Sequence, residues 1–267
     1  MKKLSLAISL LLSTSVFAHE PYIAPLSYTT DNTQVALVAG YAEEALNSEH
    51  ALKDNKINVI NPANEKSEIN LNNHIKSVSV ADLELPKDGT YLVETKVSFP
   101  LNYVLDQGEW KMFFDMPAEK APKKSERDFV IPSDLKSKNY KPEKIVREWT
   151  LQSYITKNKA STISNVGTAP IQVVFSNNPT QLKAQQAQTI KLSKDQKPLA
   201  NADIHVRAKG ATDKQATQYT SNANGEAVLT FPQAGEYLIE VTEANNTKVK
   251  PKNQYYTIIS VAALPNT

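Results

Sequence analysis

The chain has 267 residues, of which 30 are Lys or Arg and 28 are Asp or Glu, and it contains no cysteine. The lack of cysteine excludes disulfides, thiolate metal sites, a lipidated amino-terminal cysteine and a cysteine nucleophile. The near balance of charge favours neither nucleic acid nor an anionic membrane as a partner.

Residues 1–18 have the pattern of a secretory signal peptide. Two lysines open the segment, an apolar run follows over residues 4–12, and Val16 and Ala18 supply the small side chains that a signal peptidase prefers at −3 and −1. The apolar run is far shorter than the roughly 20 residues needed to cross a bilayer. We therefore predict cleavage after Ala18, a periplasmic location and no membrane insertion of the mature chain. Removing the two signal lysines brings the 30 basic residues level with the 28 acidic ones.

After the signal, the sequence is a succession of short β-like runs. They are rich in Val, Ile, Leu and Tyr and are separated by Asn, Asp, Pro and Gly, a pattern typical of strands and turns. These runs cover residues 33–41, 55–62, 76–86, 90–99, 147–158, 169–179, 188–193, 202–210, 225–232, 236–244 and 254–264. Because no stretch of the sequence sustains a helical period, we predict an all-β fold.

One seven-residue motif occurs twice in the chain in similar form. Residues 88–94 are "DGTYLVE" and residues 234–240 are "AGEYLIE". A glycine in a tight turn followed by alternating apolar residues is typical of a turn that leads into a strand. In immunoglobulin-like sandwiches a tyrosine at such a corner hydrogen-bonds back to the backbone, and Tyr91 and Tyr237 are placed for that role. Chance similarity of two strands is the alternative.

The predicted organisation is two immunoglobulin-like β-sandwich domains. The first spans residues 19–180 and the second residues 187–267, and the polar, strand-poor segment 176–188 is the predicted linker. Residues 118–147 are rich in Lys and Pro. We predict that they form a long surface excursion or a partly disordered loop within the first domain.

Cleavage after Ala18 would make His19 the amino-terminal residue. Its α-amine, with an ordinary pKa of about 7.7–8.0, and its imidazole, with a pKa of about 6.5, can both lose a proton near neutral pH and chelate one cation. Pro21 would be the third mature residue and has no amide hydrogen. This excludes the amino-terminal copper and nickel motif that uses an amide and a third-position histidine, but it permits the two-nitrogen chelate.

A second histidine would complete a three-nitrogen site suited to copper, nickel or zinc. We prefer His50, which follows an acidic segment in which Glu49 could supply an oxygen ligand or orient an imidazole. His74 is the alternative, although a solvent-facing loop position suits it better. His205 alternates with apolar residues and is expected on a strand surface.

Catalytic motifs are missing from the sequence. With seven glycines there is no nucleophile elbow and no phosphate-binding glycine loop, and the carboxylates are scattered. A copper oxidase acting on polysaccharide would need a flat aromatic face, which a 7% aromatic content disfavours. Trp110 and Trp149 fall in strand-like segments and are expected in the core or at its rim rather than in a sugar-stacking platform. We therefore predict that the protein is not an enzyme.

The two ends of the mature chain resemble a known family. At the start the resemblance lies in His19, Tyr22, Ile23 and Pro25, and near the end in "DQKPLANADIHV" (195–206) and "TSNANGEAVLTFPQAGEYLIEV" (220–241). The chain is similar to an exported domain-of-unknown-function family described as the periplasmic component of cobalt/nickel transport (NikM-like), with a C-terminal immunoglobulin-like or Cna-B-like module. The resemblance implies a metal-binding role, and Glu49-His50 would correspond to the family's acidic residue followed by histidine.

Two functional hypotheses follow from the sequence. The first is a periplasmic protein that binds or delivers nickel, cobalt or copper, with His19, His50 and Glu49 as ligands. The ion itself and a membrane transporter or another envelope protein are its expected partners. The alternative is a non-catalytic envelope interaction or structural module that uses no metal.

Overall fold

The computed structural model describes residues 20–53, 55–71 and 73–266. The predicted signal peptide, its cleavage site and His19 lie outside these residues. Within them the helical structure consists of four single-turn 3₁₀ helices, at Ala118–Lys120, Lys124–Glu126, Pro132–Asp134 and Asp213–Gln215. No helix in this part of the chain has the length and hydrophobicity needed to cross a membrane. The prediction of an all-β fold is confirmed.

The described residues form nineteen strands, of which eleven overlap the eleven predicted runs and eight fall outside those runs. In chain order they are β1 (Glu20–Pro25), β2 (Thr29–Thr30), β3 (Gln34–Ala42), β4 (His50–Ala51), β5 (Asn55–Ile60), β6 (Lys66–Leu71), β7 (Asn73–His74), β8 (Ser79–Glu84), β9 (Gly89–Asp106), β10 (Glu109–Phe113), β11 (Glu143–Lys157), β12 (Ile171–Phe175), β13 (Ala187–Lys194), β14 (Lys197–Pro198), β15 (Ala202–Ala208), β16 (Thr217–Thr220), β17 (Glu226–Thr230), β18 (Gly235–Glu243) and β19 (Gln254–Ala263). The eight strands outside the predicted runs are β1, β2, β4, β6, β7, β10, β14 and β16. Strand β9 is longer than predicted because its second half pairs with both β10 and β11.

Three sheets stack in layers. The central sheet has ten strands, with the order β16-β15-β18-β19-β11-β9-β5-β6 and with β10 and β2 paired to β9 and β11. A five-stranded sheet has the order β1-β3-β8-β7, with β4 also beside β3, and a four-stranded sheet is built from β12, β13, β14 and β17. The parallel pair β11–β19 lies in the middle of the central sheet.

The central sheet is buried on both faces. Leu238 and Ile258 belong to a core shared with the five-stranded sheet, whereas their neighbours Ile239 and Ile259 belong to a second core shared with the four-stranded sheet. Successive side chains of a strand point to opposite faces, so burial of both faces explains the nearly continuous apolar runs of β18 and β19. Strands from both predicted domains therefore share one sheet, and the predicted boundary at 176–188 stays a prediction.

Both predicted tyrosine corners are present. The Tyr91 hydroxyl donates to the carbonyl of Lys87 at 2.8 Å and accepts from its N–H at 2.8 Å. The Tyr237 hydroxyl donates to the carbonyl of Gln233 at 2.8 Å and accepts from its N–H at 3.4 Å. The repeated motif therefore forms the same structural feature in both places.

The Lys- and Pro-rich segment 118–147 forms a surface excursion, which is one of the two predicted alternatives. Val130 and Ile131 are buried within it, and the buried Arg127 pairs with Asp134 at 2.6 Å. An ion pair and apolar contacts of its own hold this segment against the β9–β10 hairpin.

Candidate functional site

Two of the candidate metal-binding residues, Glu49 and His50, lie at the end of β3 where β1 begins. In β1, Glu20 pairs with Ala42, and across the other side of β3 His50 pairs with Tyr41. With about 4.8 Å between neighbouring strands, the first residue of β1 and His50 lie about 10 Å apart. Strand pairing thus brings together two segments that the sequence separates by the whole of β3 and its following loop.

The loop 43–49 is held against β3 by backbone contacts. A Cβ at Gly40 would lie 2.7 Å from the carbonyl oxygen of His50, so the close return of the chain here requires glycine. Ala45 exchanges backbone hydrogen bonds of 2.9 Å with Gly210 and Ala211. The loop therefore has a defined position at the junction with the second predicted domain.

Glu49 lies at the same end of β3. Its N–H donates to the carbonyl of Tyr41 at 2.9 Å, and its Oε1 accepts from the N–H of Glu43 at 3.2 Å. Both Glu49 and His50 are exposed to solvent. Burial raises the pKa of Tyr22 and of Tyr41, so these neighbouring phenols stay protonated at neutral pH and are poor metal ligands.

The donors near β3 fit a metal ion only in part. Among the residues that the structure describes, no group of three or more His, Asp or Glu side chains is arranged to hold an ion. Glu49 and His50 could supply one oxygen and one nitrogen. The other two donors of the predicted site belong to His19, which lies outside the described ranges, so the full donor set stays a prediction.

The structure separates the two histidines that the sequence left as alternatives. His74 is on β7 and pairs with Ser79 of β8. Strand β7 is three strands away from β1 in the sheet order. At about 4.8 Å per strand, this is about 14 Å from β1, against about 10 Å for His50. His50 is therefore closer than His74 to the start of β1.

A buried charged cluster, which sequence reasoning missed, lies beside the start of β1. The guanidinium of Arg207, 1% exposed, pairs with Glu20 and, at 2.8 Å, with Asp213. Two residues away, His205 is half-buried opposite Glu240. His205 lies on a strand, as expected, but it is only partly exposed. The alternation of β15 does place both side chains on one face, but another layer covers that face.

Glu240 is a member of this cluster whose carboxyl group is not fully hydrogen-bonded in the described part of the chain. It is 6% exposed, and its Oε2 accepts no hydrogen bond within the described residues. Burial raises the pKa of Glu240 and nearby Asp213 adds to the rise, whereas Arg207, His205 and Arg147 oppose it. The carboxyl therefore holds its proton more tightly in the folded state than in the unfolded state.

This shift predicts a pH-dependent stability. The contribution of Glu240 is full below its unfolded pKa of about 4.3 and is lost as the pH rises through the higher folded pKa. We expect Glu240→Gln to remove this loss, so that the variant gains free energy of unfolding relative to the wild type between pH 4 and pH 8. Urea unfolding of both proteins across this range measures the difference. A difference that does not change with pH would contradict the assignment.

The stacked sheets and the tyrosine corners define an all-β protein of the β-sandwich class. The chain belongs to the family named Domain of unknown function (DUF4198), whose sequence pattern matches residues 16–244. No curated protein is significantly similar to it in sequence.

Several solved structures are similar to the chain at low sequence identity. The D0-D1 domain of intimin is 11% identical, with 90% of this chain and 96% of that chain covered and a TM-score of 0.22. The FN1–FN3 domains of chicken CNTN1 are 12% identical, with 91% and 65% covered and a TM-score of 0.25. A two-domain fibronectin type-III segment of chicken tenascin is 11% identical, with 89% and 97% covered and a TM-score of 0.24. Scores this low carry no information about function.

Proposed function

We propose that this protein is a periplasmic metal-binding or metal-delivery protein for nickel, cobalt or copper. Cleavage after Ala18 would leave the α-amine and imidazole of His19 as a chelate, with the His50 imidazole as the third nitrogen and Glu49 as a supporting carboxylate. The resemblance to NikM-like proteins supports cobalt or nickel, and the nitrogen-rich donor set suits copper as well.

The pairing of β1 and β4 with the same end of β3 is the observation that carries the proposal. Glu20, the first described residue, pairs with Ala42, and His50 pairs with the adjacent Tyr41. The proposed amino terminus would be one residue before Glu20. A chelate there needs a second imidazole and a carboxylate nearby, and His50 and Glu49 are the residues that the loop presents at this end.

Binding and transfer, not catalysis, is the proposed role. Exposed ligands on a loop allow a partner to approach the ion and exchange it, which suits delivery to a membrane transporter or another envelope protein. The ion is the cargo, so no chemical step is assigned to it.

The experiment compares the mature protein beginning at His19 with the same protein carrying one additional alanine before His19. Calorimetric titration with Ni²⁺, Co²⁺ and Cu²⁺ should find one tight site in the first, weakened at least about 100-fold in the second. The added residue turns the amine into an amide, and loss of a direct ligand should cost at least as much as the roughly 10–100-fold of an outer-shell change. A protein with the alanine added after Thr267 is the matched control.

Two outcomes would contradict the proposal. Equal affinity of the two proteins would exclude the amino-terminal chelate. Determination of a native amino terminus other than His19 would exclude it as well. Either result would favour the metal-free envelope interaction module.

A further inference from the structure

A second candidate site lies away from the β3 end, in a cleft beside the β10–β9–β11 part of the central sheet. The segment 242–253 forms its other wall. The backbone N–H of Trp110 donates to the backbone carbonyl of Thr247 at 2.7 Å, and this hydrogen bond joins the two walls. The cavity has a volume of about 260 Å³. Sites for drug-sized ligands are roughly 300–1,000 Å³, so this cleft suits a single small ring.

Arg147, on β11, is held in one orientation at this cleft. Its guanidinium carbon lies 5.8 Å from the ring centroid of Trp149 and 5.5 Å from that of Tyr256. Its Nε donates to Oε1 of Gln254 at 2.7 Å, and its Nη2 donates to the hydroxyl of Tyr103 at 3.3 Å. Stacking and two hydrogen bonds therefore fix the guanidinium and leave Nη1 without a protein acceptor among the described residues.

Arg147 makes no ion pair within 4.0 Å among the described residues, unlike the two other arginines, although its charge acts at longer range on the buried Glu240. Arg127 pairs with Asp134, and Arg207 pairs with Glu20 and Asp213. Within the described ranges no carboxylate lies within 4.0 Å of the half-buried Arg147 guanidinium. A partly desolvated, oriented arginine without an anion is the arrangement that binds a carboxylate or a similar group from a ligand.

The remaining lining is aromatic and amide-rich. Half-buried Trp110 and Tyr256, on the same face of the sheet as Arg147, line the cleft together with Asn245 and Asn246. Aromatic rings pack against the apolar face of a sugar, and amides both donate to and accept from hydroxyl groups. Trp110 and Trp149 are half-buried, and the use of Trp110 as a surface for a sugar departs from the sequence expectation.

The charge around the cleft is positive. The lysine side chains of its wall are Lys250, which pairs with Glu143 at 2.9 Å, and Lys252, which is exposed. The wall residue Glu243 pairs with Lys194. With its carboxylates already paired, the cleft offers Arg147 and Lys252 to an anion.

We propose that this cleft binds an acidic sugar, with the ligand carboxylate at Arg147, the sugar ring against the aromatic lining and the hydroxyls at the asparagine amides. The inference is independent of the metal-binding proposal, because the cleft shares no residue with the β3 end.

The test is a calorimetric titration of the mature protein with glucuronate, and with glucose and benzoate for comparison. Glucose has the ring and hydroxyls without the carboxylate, and benzoate has a ring and a carboxylate without the hydroxyls. We expect glucuronate to bind with a millimolar or lower Kd and the other two at least ten-fold more weakly. Trigalacturonate, beside galacturonate, distinguishes the end of an acidic polysaccharide from a free sugar acid, and binding of either supports the proposal.

Arg147→Gln should weaken glucuronate binding at least ten-fold. Lys144→Gln is the matched control, since this exposed lysine is on the same strand but on its other face and removes the same charge. Thermal unfolding checks that the variants fold. If Arg147→Gln does not fold, Arg147→Lys keeps the charge but loses the planar fork, and it should also weaken binding.

Three results would overturn the proposal: no binding of glucuronate, galacturonate or trigalacturonate up to about 10 mM, benzoate binding equal to that of the sugar acids, or unchanged affinity in the folded Arg147 variant.

Discussion

Arg207→Met is expected to lower the free energy of unfolding by about 3–5 kcal/mol, the cost of removing one partner from a buried ion pair. Arg207 is 1% exposed and joins Glu20 of β1 to Asp213, which follows β15. Its removal also leaves the buried carboxyl of Glu240 without its main neighbouring cation. Urea unfolding at pH 7 measures the loss.

Lys209→Met is the matched control for this prediction. Lys209 is two residues further along and pairs with Glu236, but the two side chains are 53% and 31% exposed. An exposed pair contributes about 0–1 kcal/mol, so this variant should stay close to the wild type. The double variant Arg207→Met/Glu240→Gln should recover part of the loss, because it no longer buries an uncompensated carboxylate. A loss of less than about 1 kcal/mol for Arg207→Met alone would show that water, not Arg207, stabilises the cluster.

The second large effect concerns metal binding. In the mature protein, His50→Ala is expected to weaken nickel, cobalt and copper binding at least about 100-fold, since it removes a direct nitrogen ligand of the proposed site. His74→Ala should bind as the wild type does, because β7 is three strands from β1. Glu49→Gln should have a smaller effect than His50→Ala, since its carboxylate only supports the nitrogens. Calorimetric titration of the three variants measures this order.

The assignment of His50 is tested separately from that of His19. Loss of binding in the His74 variant with normal binding in the His50 variant would exchange their roles and leave the amino-terminal chelate intact. Normal binding in both would limit the site to His19, and the experiment with the added alanine would then decide whether any chelate exists.

Local features of the chain were predictable because their physical causes are local. Alternation of buried and exposed side chains identifies a half-buried strand whatever it pairs with, as in β8 and β12, and short apolar runs between turn residues identify strands buried on both faces, such as β18 and β19. The tyrosine corners were predictable for the same reason, since Tyr91 and Tyr237 each bond to a backbone group only four residues away.

The candidate sites were only partly predictable. The predicted signal-peptide cleavage and the residue types identified His19, His50 and Glu49 as candidates. No spacing in the sequence indicates that β1 and β4 flank β3. The cleft was missed because Arg147 and Tyr256 come from strands far apart in sequence that pair in parallel. The nearest signal was the density of aromatic residues around 147–149 and 254–256.

The sequence by itself determined that the chain is built from β-strands with two tyrosine corners, because side-chain periodicity and turn chemistry act over a few residues. Only the tertiary structure decided that one ten-stranded sheet is covered on both faces, and this is why the polar face of β15 became the buried cluster of Arg207 and Glu240. It also decided that Glu20 and His50 lie on either side of the same end of β3. Backbone hydrogen bonds are chemically identical in every strand, so the choice of partner comes from the packing of whole layers.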